Sequence, residues 1–167
     1  MWRRDQPHEP RPIGFLQRFI LDRRVTACTE VDAATVPLAS RIAAADALTY
    51  ATKDLRLPGV SIRWFRPAKA GEPVYFHKAG GVPYGVVRGD RPSEIGVDAS
   101  LPTITVADVV LHEALHVRQF LDGRDGDSDG CQDEAAAYGR RLSRAGVAKA
   151  IAESAEAAAN EGGGERG

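Results

Sequence analysis

The most continuous apolar pattern in the chain lies between Thr105 and Leu121, where apolar residues recur almost all round a helical wheel. They are Val106, Val109, Val110, Leu111, Ala114, Leu115, Val117 and Leu121. The pattern predicts a helix that is buried on nearly every side. Thr105 is its predicted N-cap, with Asp108 at the third helical position as the partner in a capping box. Asp122 and Gly123 are expected to end the helix.

Two further helices are predicted on the N-terminal side of this segment. Residues 12–24 show an amphipathic helical pattern, and a polar connector over residues 28–35 follows. Thr35 is expected to cap the second helix, which runs to Arg56. The apolar period then changes to two, which predicts strands, and Pro83 favours an edge position for the third of them. The four predicted strands are Val60–Phe65, Val74–His77, Val82–Arg88 and Glu94–Asp98.

The residues after the buried helix are predicted to be mostly helical. Residues 132–145 form one predicted helix, and after Gly146 an Ala-rich stretch to Asn160 predicts a weaker one. The final EGGGERG sequence is expected to be disordered. The predicted divisions of the chain are an arm with a short helix (1–34), a main domain (35–145) and an Ala/Gly-rich, partly disordered tail (146–167).

The composition narrows the class of protein. A length of 167 residues suits one domain with a core, and the formal net charge of −1 provides no electrostatic footprint for nucleic acid. No apolar run approaches the roughly 18 residues needed to span a membrane, and the charged N-terminus is not followed by the apolar segment of a signal peptide. Cys28 and Cys131 are too few for a disulfide framework. We therefore expect a cytoplasmic protein that binds neither nucleic acid nor membrane.

The buried helix carries an HExxH motif, His112-Glu113-Ala114-Leu115-His116. Residues four apart lie on one face of a helix, so both imidazoles can reach a single metal ion. Glu113 lies about 100° further round the helix, where it can contact a water bound to that metal. Two His ligands with a Glu as general base are typical of a zinc hydrolase. The motif therefore predicts one bound Zn²⁺.

The third metal ligand has to come from outside the motif. No His follows His116 and the only Met is Met1, which excludes the third His and the Met-turn of metzincins. A carboxylate or a Cys remains, and Glu134, in the first turn of the next predicted helix, is the best candidate. Asp133 and Cys131 are the alternatives. In the other interpretation, Glu134 only complements the positive end of its helix.

An HExxH motif followed by a Glu on the next helix resembles the gluzincin metallopeptidases. The stretch from Glu134 to Leu142, which reads EAAAYGRRL, is similar to that of the minimal, single-domain members, which include proteases of phage and mobile-element regulation. The resemblance covers residues 35–145. It implies an α+β, minimal zincin-like domain, with a small mixed β-sheet packed against the HExxH helix and a second ligand-bearing helix.

The resemblance also implies how a substrate is held. In such families an edge strand above the cleft binds an extended peptide by strand addition, and Val82–Arg88 or Glu94–Asp98 would provide it here. One position departs from the family pattern: some gluzincins carry an Asp one turn after the ligand Glu, where it bonds a His ligand. This chain has Tyr138 there, so either Tyr138 or another group, such as Asp108, is expected to make that hydrogen bond.

Catalysis also needs a hydrogen-bond donor to the developing oxyanion. We select Tyr84 and Tyr138 as candidates, with Tyr75, His77 and Arg91 as further ones.

A run of alternating acidic residues follows the HExxH helix. Asp125, Asp127 and Asp129 match the opening of a calcium-binding loop, but its twelfth position is Ala136 instead of a bidentate Glu. The run is therefore a candidate Ca²⁺ site and not a complete EF-hand. The alternative is a solvated turn that caps the next helix through Ser128 or Asp129.

The sequence favours a zinc-dependent peptidase that acts on a protein or peptide. The first alternative is a catalytically silent, zinc-stabilised module that binds a peptide or partner along its sheet edge. The second is a hydrolase of a non-peptide amide.

Overall fold

A computed structural model describes residues 25–163 of the chain. Over this range one mixed sheet packs against helices, which confirms the predicted α+β class. The predicted helix over residues 12–24 lies outside the described residues, as does the end of the predicted disordered tail, residues 164–167.

Five strands form the sheet in the order β3-β1-β2-β5-β4. They are β1 (Val25–Val31), β2 (Ser61–Pro67), β3 (Phe76–Ala79), β4 (Gly85–Arg88) and β5 (Arg91–Asp98). β2 and β5 run parallel, and every other neighbouring pair runs antiparallel. β3 and β4 are consequently the two edge strands. The prediction that the Val82–Arg88 segment is an edge is confirmed, whereas the same prediction for Glu94–Asp98 is wrong, because β5 is paired on both sides.

The strand β1 was not predicted from the sequence, which indicated a polar connector over residues 28–35. β1 lies between β2 and β3, and its Cys28 and Thr29 are buried. The segment mixes threonines with Glu30 and lacks a run of large apolar residues, although threonine fits a pleated, half-buried surface well. Within the described residues the sheet therefore includes Val25–Val31, and the predicted boundary at residue 35 separates β1 from the strands with which it pairs.

Four helices complete the described fold. They are α1 (Leu38–Leu55), α2 (Thr103–Leu121), α3 (Asp129–Arg144) and α4 (Val147–Gly163). The HExxH helix, α2, packs against all three other helices and against β4 and β5. Its apolar residues form the middle of the main core, as the sequence predicted.

The start of α2 differs from the prediction. The helix begins at Thr103, and Pro102 occupies the N-cap position, so the predicted capping box of Thr105 and Asp108 is wrong. The carbonyl of Pro102 accepts the first hydrogen bond of the helix from the amide of Val106 at 2.9 Å. Proline has a fixed φ that suits the entry to a helix, and here the helix starts three residues earlier than predicted.

Small residues bring α1 and α4 close to the core. Ala43, Ala44, Ala47 and Ala51 of α1 are buried, as are Ala148, Ala152 and Ala155 of α4. The Ala-rich stretch predicted as a weak helix is thus an integral part of the packing, and it extends to Gly163. Among the described residues, no helix combines the length and apolar character required to cross a membrane.

Candidate functional site

The two imidazoles of the HExxH motif lie next to each other on α2. The ring centroids of His112 and His116 are 5.1 Å apart, and the rings are inclined at 68°. Both side chains line one cavity of about 120 Å³, which lies between α2 and the edge strand β4. His112 is half-buried and His116 is only 5% exposed. The helical spacing therefore places both rings where the sequence predicted, on one face and at one cavity.

Glu113 lines the same cavity and is 9% exposed. Among the described residues it makes no hydrogen bond and no ion pair. Burial raises the pKa of Glu113 to about 8, while the charge of Lys78 lowers this pKa and that of Asp127 raises it. A carboxyl group that is buried without a partner responds strongly to any cation placed in its cavity. The pKa of Glu113 is therefore sensitive to any charge that enters this cavity.

The edge strand β4 crosses α2 directly at Glu113, and Gly85 makes this crossing possible. A Cβ atom on Gly85 would lie 2.5 Å from Val109 Cγ1 and 2.7 Å from Glu113 Cγ, which is closer than Cβ atoms approach other atoms. Glycine is therefore required sterically where the strand covers the general-base candidate.

A buried amide orients one of the two histidines. The Nδ1 atom of His116 lies 2.8 Å from Oε1 of Gln119, which is 1% exposed. The amide nitrogen of Gln119 donates to the carbonyl of Cys131 at 3.0 Å and to Oε2 of Glu134 at 3.1 Å. No corresponding hydrogen bond to His112 occurs among the described residues. Sequence reasoning missed Gln119, although its position three residues after His116 places it on the same helix face.

The structure does not bring Glu134 to the imidazoles. Its two carboxylate oxygens accept hydrogen bonds from Arg124, each at 2.8 Å, and the half-exposed ion pair lies outside the cavity. Arg124, followed by Gln119, lowers the pKa of Glu134. Gln132 and Ala136, which line the two cavities beside His112, lie roughly 160° from Glu134 round the axis of α3. Glu134 therefore occupies the opposite flank of its helix.

The acidic side chain that shares the cavity with both histidines and Glu113 is Asp127. It comes from the loop between α2 and α3. Lys78 of β3 also lines this cavity. Even so, among residues 25–163 no three His, Cys, Asp or Glu side chains lie close enough together to hold a metal ion. The sequence indicated Asp127 only as part of a calcium loop, because spacing along a loop does not show which way a side chain points.

The two residues expected to support a histidine have other surroundings. The hydroxyl of Tyr138 donates to Oδ2 of Asp54 on α1 at 2.9 Å, and burial, followed by this bond, raises the pKa of Tyr138. Tyr138 lines neither cavity beside the motif. Asp108 is half-buried and makes no hydrogen bond to a histidine, and burial raises its pKa. The group that bonds a motif histidine is Gln119.

Tyr84 is the oxyanion-donor candidate that lies beside the motif. It lines a second, larger cavity of about 490 Å³ together with His112 and Glu113, and it is 65% exposed. Tyr75 and His77 line a separate groove of about 500 Å³ between β3 and β4. Arg91 is turned towards Glu94, to which it donates at 3.5 Å.

The candidate calcium loop forms a turn that leads into α3. The amide of Asp127 donates to Oδ1 of Asp125 at 3.0 Å, and the hydroxyl of Ser128 donates to the carbonyl of Asp125 at 2.8 Å. Ser128 occupies the N-cap position of α3 without a side-chain capping bond, and Asp129 begins the helix. Cys131 contributes its carbonyl to Gln119, and its buried thiol is free.

Comparisons of the chain with protein-family models, with curated proteins and with solved structures found no match. The gluzincin resemblance consequently rests on the motif residues alone.

The close crossing of β4 over α2 predicts that Gly85→Ala destabilises the fold. We expect the added methyl group to lower the free energy of unfolding by about 1–3 kcal/mol, because it overpacks against Val109 and Glu113. Urea denaturation measures this change. Gly81→Ala is the matched control, since no atom lies within 4 Å of its added Cβ. Equal losses of unfolding free energy in Gly85→Ala and Gly81→Ala would contradict the close approach of β4 to α2.

Proposed function

We propose that the chain is a zinc-dependent peptidase in which His112 and His116 bind the metal and Glu113 is the general base. The observation that carries the proposal is that the two neighbouring imidazoles and the buried, unpaired Glu113 line one cavity beneath an edge strand. Neutral imidazoles are common ligands of Zn²⁺. Burial, followed by the neighbouring His116, lowers the pKa of His112, which favours the neutral form that binds a metal.

Each side chain has a distinct role in this proposal. A zinc ion bound at the histidines would polarise the substrate carbonyl and lower the pKa of a bound water to about 7. Glu113 accepts the proton of the attacking water and later passes it to the leaving amine. Tyr84, at the mouth of the larger cavity, can donate a hydrogen bond to the carbonyl oxygen as negative charge develops there.

The substrate class follows from the strand that covers the site. Among the described residues β4 pairs only with β5, so its other side would offer backbone groups to an extended peptide. Gly85 lies in this strand and lines both cavities that contain His112 and Glu113. A peptide added to this edge would run past the two catalytic side chains, which favours a peptide over a small amide.

His112 and His116 would provide two of the zinc ligands, and an acidic side chain would have to provide the third. A catalytic zinc usually has three protein ligands. Glu134, the candidate from the sequence, would have to leave Arg124 and cross to the other flank of α3. Asp127 already lines the cavity with both histidines and would need a smaller movement of its loop.

Matched carboxylate-to-amide substitutions identify the third ligand. We expect Asp127→Asn to weaken zinc binding more than Glu134→Gln does. In this arrangement Glu134 is an outer partner, and loss of such a partner typically costs about 10–100-fold in metal affinity. Competition with a chromophoric chelator measures both affinities. If Glu134→Gln weakens zinc binding more than Asp127→Asn does, Glu134 is the third zinc ligand instead.

The role of Glu113 predicts separate effects on binding and turnover. Glu113→Gln should leave zinc binding intact and reduce peptide cleavage by about 100- to 10,000-fold, because the amide cannot accept a proton. Cleavage of a peptide library, with zinc content measured on the same samples, tests this. Glu153→Gln, on the exposed side of α4, is the control and should cleave as the wild type does.

A second function becomes the better account under one specific result. If the wild-type protein binds zinc and cleaves no peptide in the library, the peptidase proposal fails. The chain is then better described as a zinc-stabilised module that binds a partner along β4. The observation that favours this alternative is the edge position of β4 among the described residues, which would serve partner binding without turnover.

A further inference from the structure

Gln119 is the only polar residue among the largest fully buried side chains of residues 25–163. It lies one turn after His116 on α2 and faces the first two turns of α3, where Cys131 and Glu134 are located. Burying an amide is unfavourable unless its oxygen and nitrogen are both hydrogen-bonded. Here the oxygen faces His116 and the nitrogen faces α3, so the amide joins the motif to the next helix.

The neighbours of Gln119 determine which end of the amide faces which group. On the side of α3 it meets a backbone carbonyl and a carboxylate, and both of these groups only accept hydrogen bonds. Arg124 keeps the carboxylate of Glu134 ionised by lowering its pKa. A reversed amide would point its oxygen at two acceptors in a buried site, which is unfavourable. The amide oxygen must therefore face His116.

The orientation of the amide in turn determines the tautomer of the histidine. Because Oε1 of Gln119 can only accept, Nδ1 of His116 has to donate across the 2.8 Å contact. In the neutral ring, Nε2 then has the free electron pair. We infer that Gln119 is a positioning residue that holds His116 in the Nδ1–H tautomer, with Nε2 available to a metal. The availability of Nε2 to a metal rests on the proposed function, whereas the assignment of the Nδ1–H tautomer does not.

Glu134 gains a different role from the one that its spacing suggested. It supports the amide of Gln119 from the outside, and Arg124 holds it in place through both carboxylate oxygens. The chain of contacts therefore runs from Arg124 through Glu134 and Gln119 to His116. Outer partners of this kind fix the orientation of metal-binding histidines in proteins. His112 has no such partner among the described residues, and it serves as an internal comparison.

Nitrogen-15 NMR of the histidine side chains in zinc-free protein tests the tautomer directly. The two tautomers of a neutral histidine ring give different patterns of ring-nitrogen shifts, so the spectrum is recorded at about pH 8, above the reference histidine pKa of about 6.5. We expect His116, assigned with a His116→Gln variant, to be predominantly the Nδ1–H form. A predominantly Nε2–H form of His116 in the wild type would overturn the inference. This measurement uses the wild-type protein, so it does not depend on whether a Gln119 variant folds.

Substitution of Gln119 tests whether this residue is the cause. Gln119→Met keeps a similar volume and removes all three hydrogen bonds of the amide, so the Nδ1–H fraction of His116 should fall while the spectrum of His112 stays the same. Gln132→Met is the matched control for the tautomer, because Gln132 lies beside His116 at the cavity and donates to the carbonyl of Gly126 instead of bonding a histidine. An unchanged tautomer in a folded Gln119→Met protein would overturn the inference.

Titration with zinc alone separates this inference from the proposed function. If Gln119 prepares Nε2 for the metal, Gln119→Met should weaken zinc binding by about 10–100-fold. Glu153→Gln, on the exposed side of α4, should bind zinc as the wild type does. If the wild-type protein has the Nδ1–H tautomer and fails to bind zinc, the zinc proposal is refuted. The step in which Nε2 binds a metal is then refuted as well, while the assignment of the tautomer to His116 is supported. Equal zinc affinity of the wild type and Gln119→Met would overturn the positioning role and leave the zinc proposal standing.

Discussion

The helix α2 is the most deeply packed helix of the fold, and it carries three buried polar side chains. The rest of the site depends on how the burial of these side chains is compensated. α2 is surrounded by the other helices and by β4 and β5, yet it carries His116, Glu113 and Gln119 with exposures of 5%, 9% and 1%. Burial of such groups is unfavourable without partners. Gln119 and His116 bond each other, and Glu113, which lines a cavity, has no partner among residues 25–163. The unpaired carboxyl is the feature that a purely structural helix does not need.

The local parts of this arrangement could be predicted from the sequence. Helical spacing correctly placed His112 and His116 on one face, and the apolar pattern correctly indicated that α2 is buried. The change of period indicated strands in the regions of β2, β3, β4 and β5. Pro83 correctly pointed to an edge at the third predicted strand, because proline lacks the amide hydrogen that an interior strand uses.

The parts that depend on distant segments could not be predicted in the same way. β1 gains its stability by pairing with β2 and β3, and its own residues show no strong alternation. Glu134 was correctly expected near the start of the next helix. The direction in which Glu134 points, however, depends on how α3 packs against α2. The spacing of residues along the chain does not determine that packing. The directions of Asp127 and Lys78 depend on loop and strand geometry in the same manner.

The loop between α2 and α3 connects the two sides of the site. Its first part provides Arg124, which supports Glu134 and, through Gln119, His116; its second part brings Asp127 to the cavity. Zinc content of the purified protein, measured by elemental analysis, tests directly whether the motif binds a metal. We expect one zinc ion per wild-type chain and its loss in a folded His112→Ala, His116→Ala double variant. A wild-type protein that remains free of zinc after incubation with the metal, or a double variant that retains the ion, would contradict this expectation.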